Sequence, residues 1–482
     1  MKYRNILLFL VLICVSAGLV CAGQVEEAIA QGLSTIKPEE AYSYCRTMAL
    51  PRFGGRFTGH EGYTAAAEWA AGLFKKWGLR PISSETGYLQ PYPSPYVLIN
   101  KAEMILHPAT GKKEIKLRPV TDFLPLLFSG SGDLTAELVF AGWGIHAPEL
   151  GYDDYAGLDV KGKFVLCFRG VPDSAGARFQ KHDHHRFRMQ TAKEMGAAGL
   201  IYIYDEVGAN PNGDYTPVFL PAEISIQMAD KVLAERGITA ADLRTDLRTY
   251  KRPLSFPLKS KVHLSVDSTP YPDAVGYNVA GYVEGSDKDL KKEVIIIGGH
   301  FDHCGEHMGL LFPGANDNAS GSATVMEMAE AFAETKKKPR RSLVFVLFGG
   351  EEMGLQGSTH FSENLPPMFT TMAAMFNFDM TGEGDGAWAG YSADPPELKA
   401  ALDRAAEKIK ILRGARAMRG VGVRGSDFAP FYQKGVPVIS IGSTGPHLAY
   451  HQPGDNIYRI NPEIMADIAK LAFIAAYHWA DR

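Results

Sequence analysis

The sequence contains little cysteine, and its cysteines are not arranged as a disulfide framework. Only 5 of its 482 residues are cysteine. Cys14 and Cys21 lie in an N-terminal segment that we expect to be removed, and Cys45, Cys167 and Cys304 lie far apart in the chain. With 46% hydrophobic residues, a chain of this length has ample apolar material for a large core. We therefore expect packing, rather than cross-links, to stabilise the fold.

The sequence also lacks an excess of positive charge and a long apolar run. Its formal net charge at pH 7 is -4, so no strongly basic face is available to neutralise phosphates, and nucleic acid is not an expected partner. The apolar run over residues 6–15 is shorter than the roughly 20 residues that span a bilayer, and no later run approaches that length. We expect no stable membrane insertion of the mature protein.

The N-terminal segment has the layout of a secretory signal peptide. Lys2 and Arg4 precede the apolar run, and small residues follow it over positions 17–23. Cleavage after Ala22 would make residues 1–22 the signal peptide and the mature protein soluble, either secreted or periplasmic. A retained anchor and lipoprotein processing are the alternatives. The composition is silent on oligomeric state.

The rest of the chain changes pattern twice. Residues 36–80 have helical periodicity. Residues 134–266 show short strands separated by Gly and Asp, with one helix near 187–195, and predict an inserted α/β or β-rich module. From about residue 270 onward, continuous apolar strands alternate with helices, which predicts a mostly parallel α/β sheet covered on both faces.

Polar residues stand where the strands of the C-terminal region end. His300, Glu351 with Glu352, and Asp379 each follow an apolar run, and Asp317 and His451 lie on loops. Since ligands bind at the carboxyl ends of such strands, we expect these side chains to meet. Two histidines and three acids suit zinc, and one shared carboxylate can hold two ions about 3.5 to 4 Å apart. The pattern therefore predicts a site for two zinc ions.

Two further acids near these ligands are candidates for supporting roles. Glu351 and Glu352 are neighbours and cannot easily point at the same ion, so one is expected to bind metal while the other accepts a proton from water. Asp302 follows His300 by two positions on an extended segment, and we expect its carboxylate to hold the other imidazole nitrogen of His300.

At these residues the sequence resembles the zinc aminopeptidase family of di-zinc exopeptidases, which includes glutamate carboxypeptidase-like members. The segments that carry the resemblance follow the family's order: Gly299-His300-Phe301-Asp302-His303, Gly314-Ala315-Asn316-Asp317-Asn318, Gly349-Gly350-Glu351-Glu352-Met353-Gly354, Asn377-Phe378-Asp379-Met380 and Tyr450-His451-Gln452-Pro453-Gly454-Asp455. The resemblance implies that Asp317 bridges the two zinc ions. It further implies that Glu352 and His451 complete the coordination of one ion, and that His300 and Asp379 complete the coordination of the other. Glu351 is then the general base.

The resemblance also implies domain limits and substrate contacts. The middle module is similar to a protease-associated domain over residues such as Gly142-Trp143-Gly144 and Gly151-Tyr152-Asp153-Asp154-Tyr155. We expect residues 23–120 and 268–482 to form the peptidase domain, with the protease-associated domain inserted at 121–267. Expected substrate contacts are Ser426, Asp427, Phe428 and Tyr450, although Phe428 stands where the family often has histidine.

The expected substrates are peptides, and the expected activity is release of N-terminal residues. The metal site alone does not decide which terminus is held, so a carboxypeptidase or dipeptidase remains open. Asp427 or Glu383 would suit capture of a free amine, whereas Arg424 would suit capture of a carboxylate. A glutaminyl cyclase and a non-catalytic receptor-like protein are weaker alternatives, because the ligand set is complete for two ions.

Overall fold

The computed structural model describes most of the chain. The described residues are 23–111, 113–173, 177–385, 388–406, 409, 412, 414–417 and 425–482. The predicted signal peptide and Arg424 lie outside this part. Among the described residues, no helix is both long enough and apolar enough to cross a membrane. Cys45, Cys167 and Cys304 are buried free thiols, as the sequence predicted.

A nine-stranded mixed sheet organises the C-terminal half of the chain. In spatial order its strands are Arg80–Pro81, Val275–Val283, Ser342–Phe348, Glu293–His300, Thr371–Phe378, Val438–Ser443, Ala389–Asp394 and Ala415–Ala417, with Leu89–Pro93 also pairing with Val275–Val283. The four central strands are parallel to one another, and the strands on either side of them pair antiparallel. Their continuous apolar sequences reflect burial on both faces.

Helices cover both faces of this sheet, which confirms the predicted fold class. One face packs against Pro38–Met48, Glu61–Lys76, Gly321–Glu334, Pro396–Ala406 and Pro462–Ala480. The other face packs against Gln356–Glu363 and Ala429–Gln433. The long helix Pro462–Ala480 begins with Asn461, whose side chain accepts a hydrogen bond from the amide of Glu463, and it is buried along nearly its whole length.

A second, eight-stranded sheet forms the inserted module. Its strands in spatial order are Ile115–Lys116, Tyr96–His107, Ser255–Tyr271, Gly132–Ala141, Phe164–Phe168, Gly199–Tyr204, Ala222–Ser225 and Phe123–Pro125, and its helices are His185–Glu194, Ile226–Leu233 and Ala240–Tyr250. Because Tyr96–His107 pairs with Ser255–Tyr271, the module extends beyond the predicted limits of 121–267. We call residues 96–271 the insertion. Two short hairpins, Gly305–His307 with Leu310–Phe312 and His146–Ala147 with Tyr152–Asp153, complete the strands.

The region predicted as one helical stretch, 36–80, contains two helices separated by a tight turn. Gly54, Gly55 and Arg56 have φ values of 52°, 64° and 50°, which a helix cannot continue through. A side chain at Gly55 would place its Cβ 2.4 Å from the carbonyl oxygen of Gly305, so the turn also needs glycine for close approach. The turn packs against the backbone of Gly305, in the segment that follows the candidate ligand His300.

Arg56 joins three segments at this turn. Its guanidinium is fully buried and donates to the carbonyl oxygens of Phe301, Met48, Pro313 and Gly314 at 2.7 to 2.8 Å. Phe301 follows the candidate ligand His300, and Gly314 precedes the loop with Asp317. One buried arginine therefore ties the N-terminal turn to both ligand-bearing loops.

Replacing Arg56 with Met should destabilise the protein strongly. Four buried carbonyl groups would lose their donor, and leaving such groups unsatisfied costs about 1 to 3 kcal/mol each before relaxation. We expect a large drop in melting temperature, measured by circular dichroism. Arg52→Met is the matched control, because Arg52 is exposed and only stacks on Phe53. Equal melting temperatures for the two variants would contradict this assignment.

Glu327 is a buried carboxyl group in the helix Gly321–Glu334. Only 1% of it is exposed, one oxygen accepts from the amide of Lys37 at 3.0 Å, and the other has no hydrogen-bond partner in the described part of the chain. Burial raises the pKa of Glu327 from 4.5 to about 8. The folded state therefore keeps this proton at pH values where the unfolded chain has lost it.

This difference predicts that stability falls as the pH rises from about 4.5 to about 8. Glu327→Gln removes the titration, so its melting temperature should match that of the original protein at pH 5 and exceed it at pH 8.5. Each pKa unit corresponds to about 1.4 kcal/mol of unfolding free energy. Glu334→Gln, at the exposed end of the same helix, is the control and should not change the pH profile. A pH-independent difference between Glu327→Gln and the original protein would exclude this origin.

Candidate metal centre

The predicted ligands meet at the carboxyl edge of the nine-stranded sheet. His300 ends its strand, Asp379 follows the strand Thr371–Phe378, and Glu351 and Glu352 follow Ser342–Phe348. These three strands are adjacent and parallel, so their ends lie side by side. Loops bring Asp317 and His451 to the same place.

Asp317 lies between the two histidines and is almost completely buried. Its Oδ1 is 3.3 Å from Nε2 of His300, and its Oδ2 is 3.2 Å from Nε2 of His451. The carboxylate of Asp455 accepts hydrogen bonds from the amides of Asn316 and Asp317 at 2.8 and 2.9 Å, which fixes the loop. The two oxygens of Asp317 thus face two different ligand groups.

A further carboxylate accompanies each histidine. Oδ1 of Asp379 lies 3.4 Å from Nε2 of His300, and Oε2 of Glu352 lies 3.0 Å from Nε2 of His451. The residues therefore form two groups, His300 with Asp379 and His451 with Glu352, on the two sides of Asp317. Ser426 supports the first group by donating to Oδ2 of Asp379 at 2.7 Å.

The directions of these atoms fit bound cations. Nε2 of His451 and Oδ2 of Asp317 are buried and close together, yet neither makes a hydrogen bond within the described residues. Ligand atoms of His300, Asp317 and Glu352 also lie within 4.8 Å of one another. Imidazole nitrogens and carboxylate oxygens that converge without bonding to each other are the donor set that zinc prefers.

Glu351 and Glu352 have opposite electrostatic environments although they are neighbours. Burial and repulsion from Glu352 and Asp427 raise the pKa of Glu351 well above its usual value, even though His300 acts in the other direction. Burial also disfavours charge on Glu352, but the adjacent His451 outweighs it and lowers the pKa of Glu352 to about 2. Two carboxyl groups with separated pKa values are suited to different roles, one holding a proton and one holding charge.

The carboxylate of Asp302 lies near His300 and also contacts the turn that carries Glu351 and Glu352. Its carboxylate is 3.7 Å from Nδ1 of His300, beyond hydrogen-bonding distance, and the nearer group is its own backbone carbonyl at 3.3 Å. The carboxylate also accepts from the amides of Glu351 and Glu352 at 3.2 and 3.4 Å. Asp302 therefore orients the turn that carries the two glutamates.

His303 is a site residue that the sequence analysis did not select. It is fully buried, and its Nδ1 lies 2.9 Å from Oε1 of Glu352. Its position in the segment that begins with His300 was the available signal, but spacing alone does not show which residue it faces. The role of Arg56 could not be predicted either, because its partners are backbone carbonyl groups, which every residue type carries.

The predicted substrate contacts occupy unequal positions. Asp427 and Phe428 are fully or almost fully buried, and Phe428 packs with Phe431 in an apolar cluster beneath the sheet edge. Burial raises the pKa of Asp427 to about 7. Ser426 is buried against Asp379, whereas Tyr450 is 55% exposed and stacks on the ring of His451. Of these residues, Tyr450 alone presents a large exposed surface.

A cleft of about 720 Å³ opens beside the ligands. Glu351, Glu352 and His451 line one side, and residues of the insertion, including Arg186 and Val207, line the other. The insertion also touches a candidate ligand, because the carbonyl oxygen of Ala209 lies 2.6 Å from Nδ1 of His451. The insertion therefore forms one wall of the cleft.

Comparison with known proteins agrees with this arrangement. Residues 278–476 match peptidase family M28, and residues 134–230 match the PA domain. An aminopeptidase of Pseudomonas aeruginosa is 37% identical over 153 residues, which cover 30% of this chain and 27% of that protein. The match thus spans about a quarter of that relative's length.

Solved structures share the fold over nearly the whole chain. An aminopeptidase from Aneurinibacillus sp. strain AM-1 has a TM-score of 0.67 at 22% identity and covers 94% of this chain and 96% of its own. A zinc aminopeptidase from Bacillus subtilis has a TM-score of 0.62 at 21% identity, with 93% and 96% covered. Residues 278–476 and 134–230 are thus similar to peptidase family M28 and to the PA domain, and the fold of the chain is shared with these solved structures.

Proposed function

We propose that the protein is a secreted aminopeptidase that binds two zinc ions and hydrolyses the N-terminal residue from peptides. The observation that carries this proposal is the position of Asp317, whose two oxygens face two separate histidine and carboxylate groups, with Glu351 beside them. In this proposal His300 and Asp379 hold one ion, His451 and Glu352 hold the other, and Asp317 is shared.

Zinc bound there would supply a Lewis acid that polarises a peptide carbonyl and makes water a better nucleophile. Glu351 lines the cleft and is only partly buried, so its carboxylate can receive the proton of the attacking water and return it to the leaving amine. Neighbouring carboxylates raise the pKa of Glu351, and positive charge beside it would lower that pKa again. Asp302 keeps the turn that carries Glu351 in place.

The relatives named as aminopeptidases favour substrates held by a free amine. Both arginines that line the cleft in the described part of the chain, Arg169 and Arg186, belong to the insertion.

Replacing Glu351 with Gln should abolish most of the activity without loss of metal. A positioned general base contributes about 10² to 10⁴ to the rate, so kcat on a peptide substrate should fall by that factor. Zinc content, measured by atomic absorption, should stay equal to that of the original protein. Glu306→Gln, an exposed glutamate on a nearby hairpin, should leave kcat unchanged. Full activity of Glu351→Gln would exclude its proposed role.

A panel of blocked peptides should identify the terminus that the enzyme holds. We expect zinc-dependent hydrolysis of peptides with a free amino terminus, no hydrolysis of N-acetylated peptides, and normal hydrolysis of C-terminally amidated peptides. Each should be measured with zinc and with a chelator. Loss of hydrolysis only on C-terminal amidation would indicate a carboxypeptidase. Hydrolysis that is insensitive to chelator would contradict a zinc mechanism.

A further inference from the structure

The insertion forms three neighbouring hydrogen bonds with the loop that carries His451. Nδ1 of His451 lies 2.6 Å from the carbonyl oxygen of Ala209, and the amide of Ala209 donates to the carbonyl of His451 at 2.8 Å. Next to them, the side-chain amide of Gln452 donates to the carbonyl of Val207 at 3.1 Å. These bonds connect two segments that lie more than half the chain apart.

We propose that residues 207–210 of the insertion are part of the metal centre, and that Glu223 is the positioning residue that holds them there. Glu223 is 2% exposed, and its carboxylate accepts from the amide of Gly208 at 2.5 Å. A side chain at Gly208 would place its Cβ 3.2 Å from Cβ of His451, so glycine allows the close approach. The proposal rests on the two-zinc site of the proposed function.

The carbonyl of Ala209 determines which nitrogen of His451 is free to bind metal. An imidazole that donates its Nδ1 proton to a carbonyl keeps a lone pair on Nε2, and the hydrogen bond also fixes the ring orientation. Nε2 of His451 points toward Asp317 and Glu352, at 3.2 and 3.0 Å. The carbonyl of Ala209 thus selects the tautomer and the direction that a cation requires.

The other half of the centre does not depend on the insertion in this way. Nδ1 of His300 faces the backbone carbonyl of Asp302, and Asp379 is held by Ser426, and all of these residues belong to the catalytic domain. Disturbing the loop 207–210 should therefore weaken zinc binding at His451 and Glu352 and leave zinc binding at His300 and Asp379 unchanged.

Zinc binding tests the proposal without reference to activity. Each full-length variant is stripped of metal and titrated with zinc against a chromophoric chelator, which gives two successive dissociation constants. Glu223→Leu removes the acceptor for Gly208, and Gln452→Leu removes the bond to Val207. For Glu223→Leu we expect one dissociation constant to rise about 10- to 100-fold, the usual effect of losing an outer-shell partner, and the other to stay within twofold.

Two further variants separate positioning from general destabilisation. Glu223→Gln keeps a side-chain oxygen that can accept from Gly208, so its zinc affinity should be close to that of the original protein. Asp154→Leu removes another buried carboxylate of the insertion, which accepts from the amides of Trp143 and Ile145 at 3.0 and 3.1 Å away from the cleft. It should lower the melting temperature and leave both zinc dissociation constants unchanged.

The outcomes are distinct from those that test the proposed function. If folded Glu223→Leu and Gln452→Leu both retain the two original dissociation constants, the positioning role is wrong, and if Glu223→Leu does not fold, Gln452→Leu decides. An equal loss of affinity in Asp154→Leu would also overturn it. Two tightly bound zinc ions in the original protein without hydrolysis of any peptide would overturn the proposed function and leave this inference standing.

Discussion

The collection of buried carboxyl groups at one edge of the sheet is the constraint around which this protein is built. Asp302, Asp317, Glu352, Asp427 and Asp455 are each at most 6% exposed and lie around the same centre. Like charges in a low-dielectric interior repel strongly, and burial alone disfavours each charge. Burial raises the pKa of Asp455 to about 6, whereas the adjacent His451 outweighs burial at Glu352 and lowers the pKa of that group to about 2. Such a cluster is stable as a charged group only with cations, imidazoles and amide donors around it.

The fold meets this requirement with imidazoles, backbone groups and the buried Arg56. Parallel strands deliver His300, Glu352 and Asp379 side by side. The turn that carries Glu352 presents amide donors to Asp302, and the loop that carries Asp317 presents amide donors to Asp455. Arg56 places a buried positive charge behind the ligand loops and uses four backbone carbonyl groups as its partners. Oδ2 of Asp317 and Nε2 of His451 have no hydrogen-bond partner among the described residues, which leaves their lone pairs free for a cation.

The insertion contributes both to the cleft and to the position of a candidate ligand. It contains the region that matches the PA domain, lines the cleft opposite the glutamates, and supplies a carbonyl group to His451. Substrate access and ligand geometry are therefore properties of both domains together. The sequence gives no sign of this contact, because a backbone carbonyl at Ala209 could be supplied by almost any residue type.

Prediction from sequence succeeded where a local pattern has one structural meaning. Apolar runs ending in His300, Glu351, Glu352 and Asp379 predicted parallel strands with ligands at one edge, and the strands lie as expected. Thr239 and Asp242 form a capping box at the start of Ala240–Tyr250, and this pattern is a local sequence signal for a helix start. Gly54 and Gly55 break the chain between the helices Pro38–Met48 and Glu61–Lys76. Hydrophobic periodicity alone predicted one continuous helical stretch there.

The sequence by itself determined the fold class, the presence of two kinds of domain and the identity of the candidate ligands, because strand and helix periods and ligand chemistry are local properties. Only the tertiary structure decided that Asp302 accepts from the turn that carries Glu351, that His303 faces Glu352, that Arg56 joins three segments, and that Ala209 reaches His451. Each of these contacts joins residues that are far apart in the chain or uses backbone atoms common to every residue. Their geometry is fixed by packing, and no local sequence pattern encodes it.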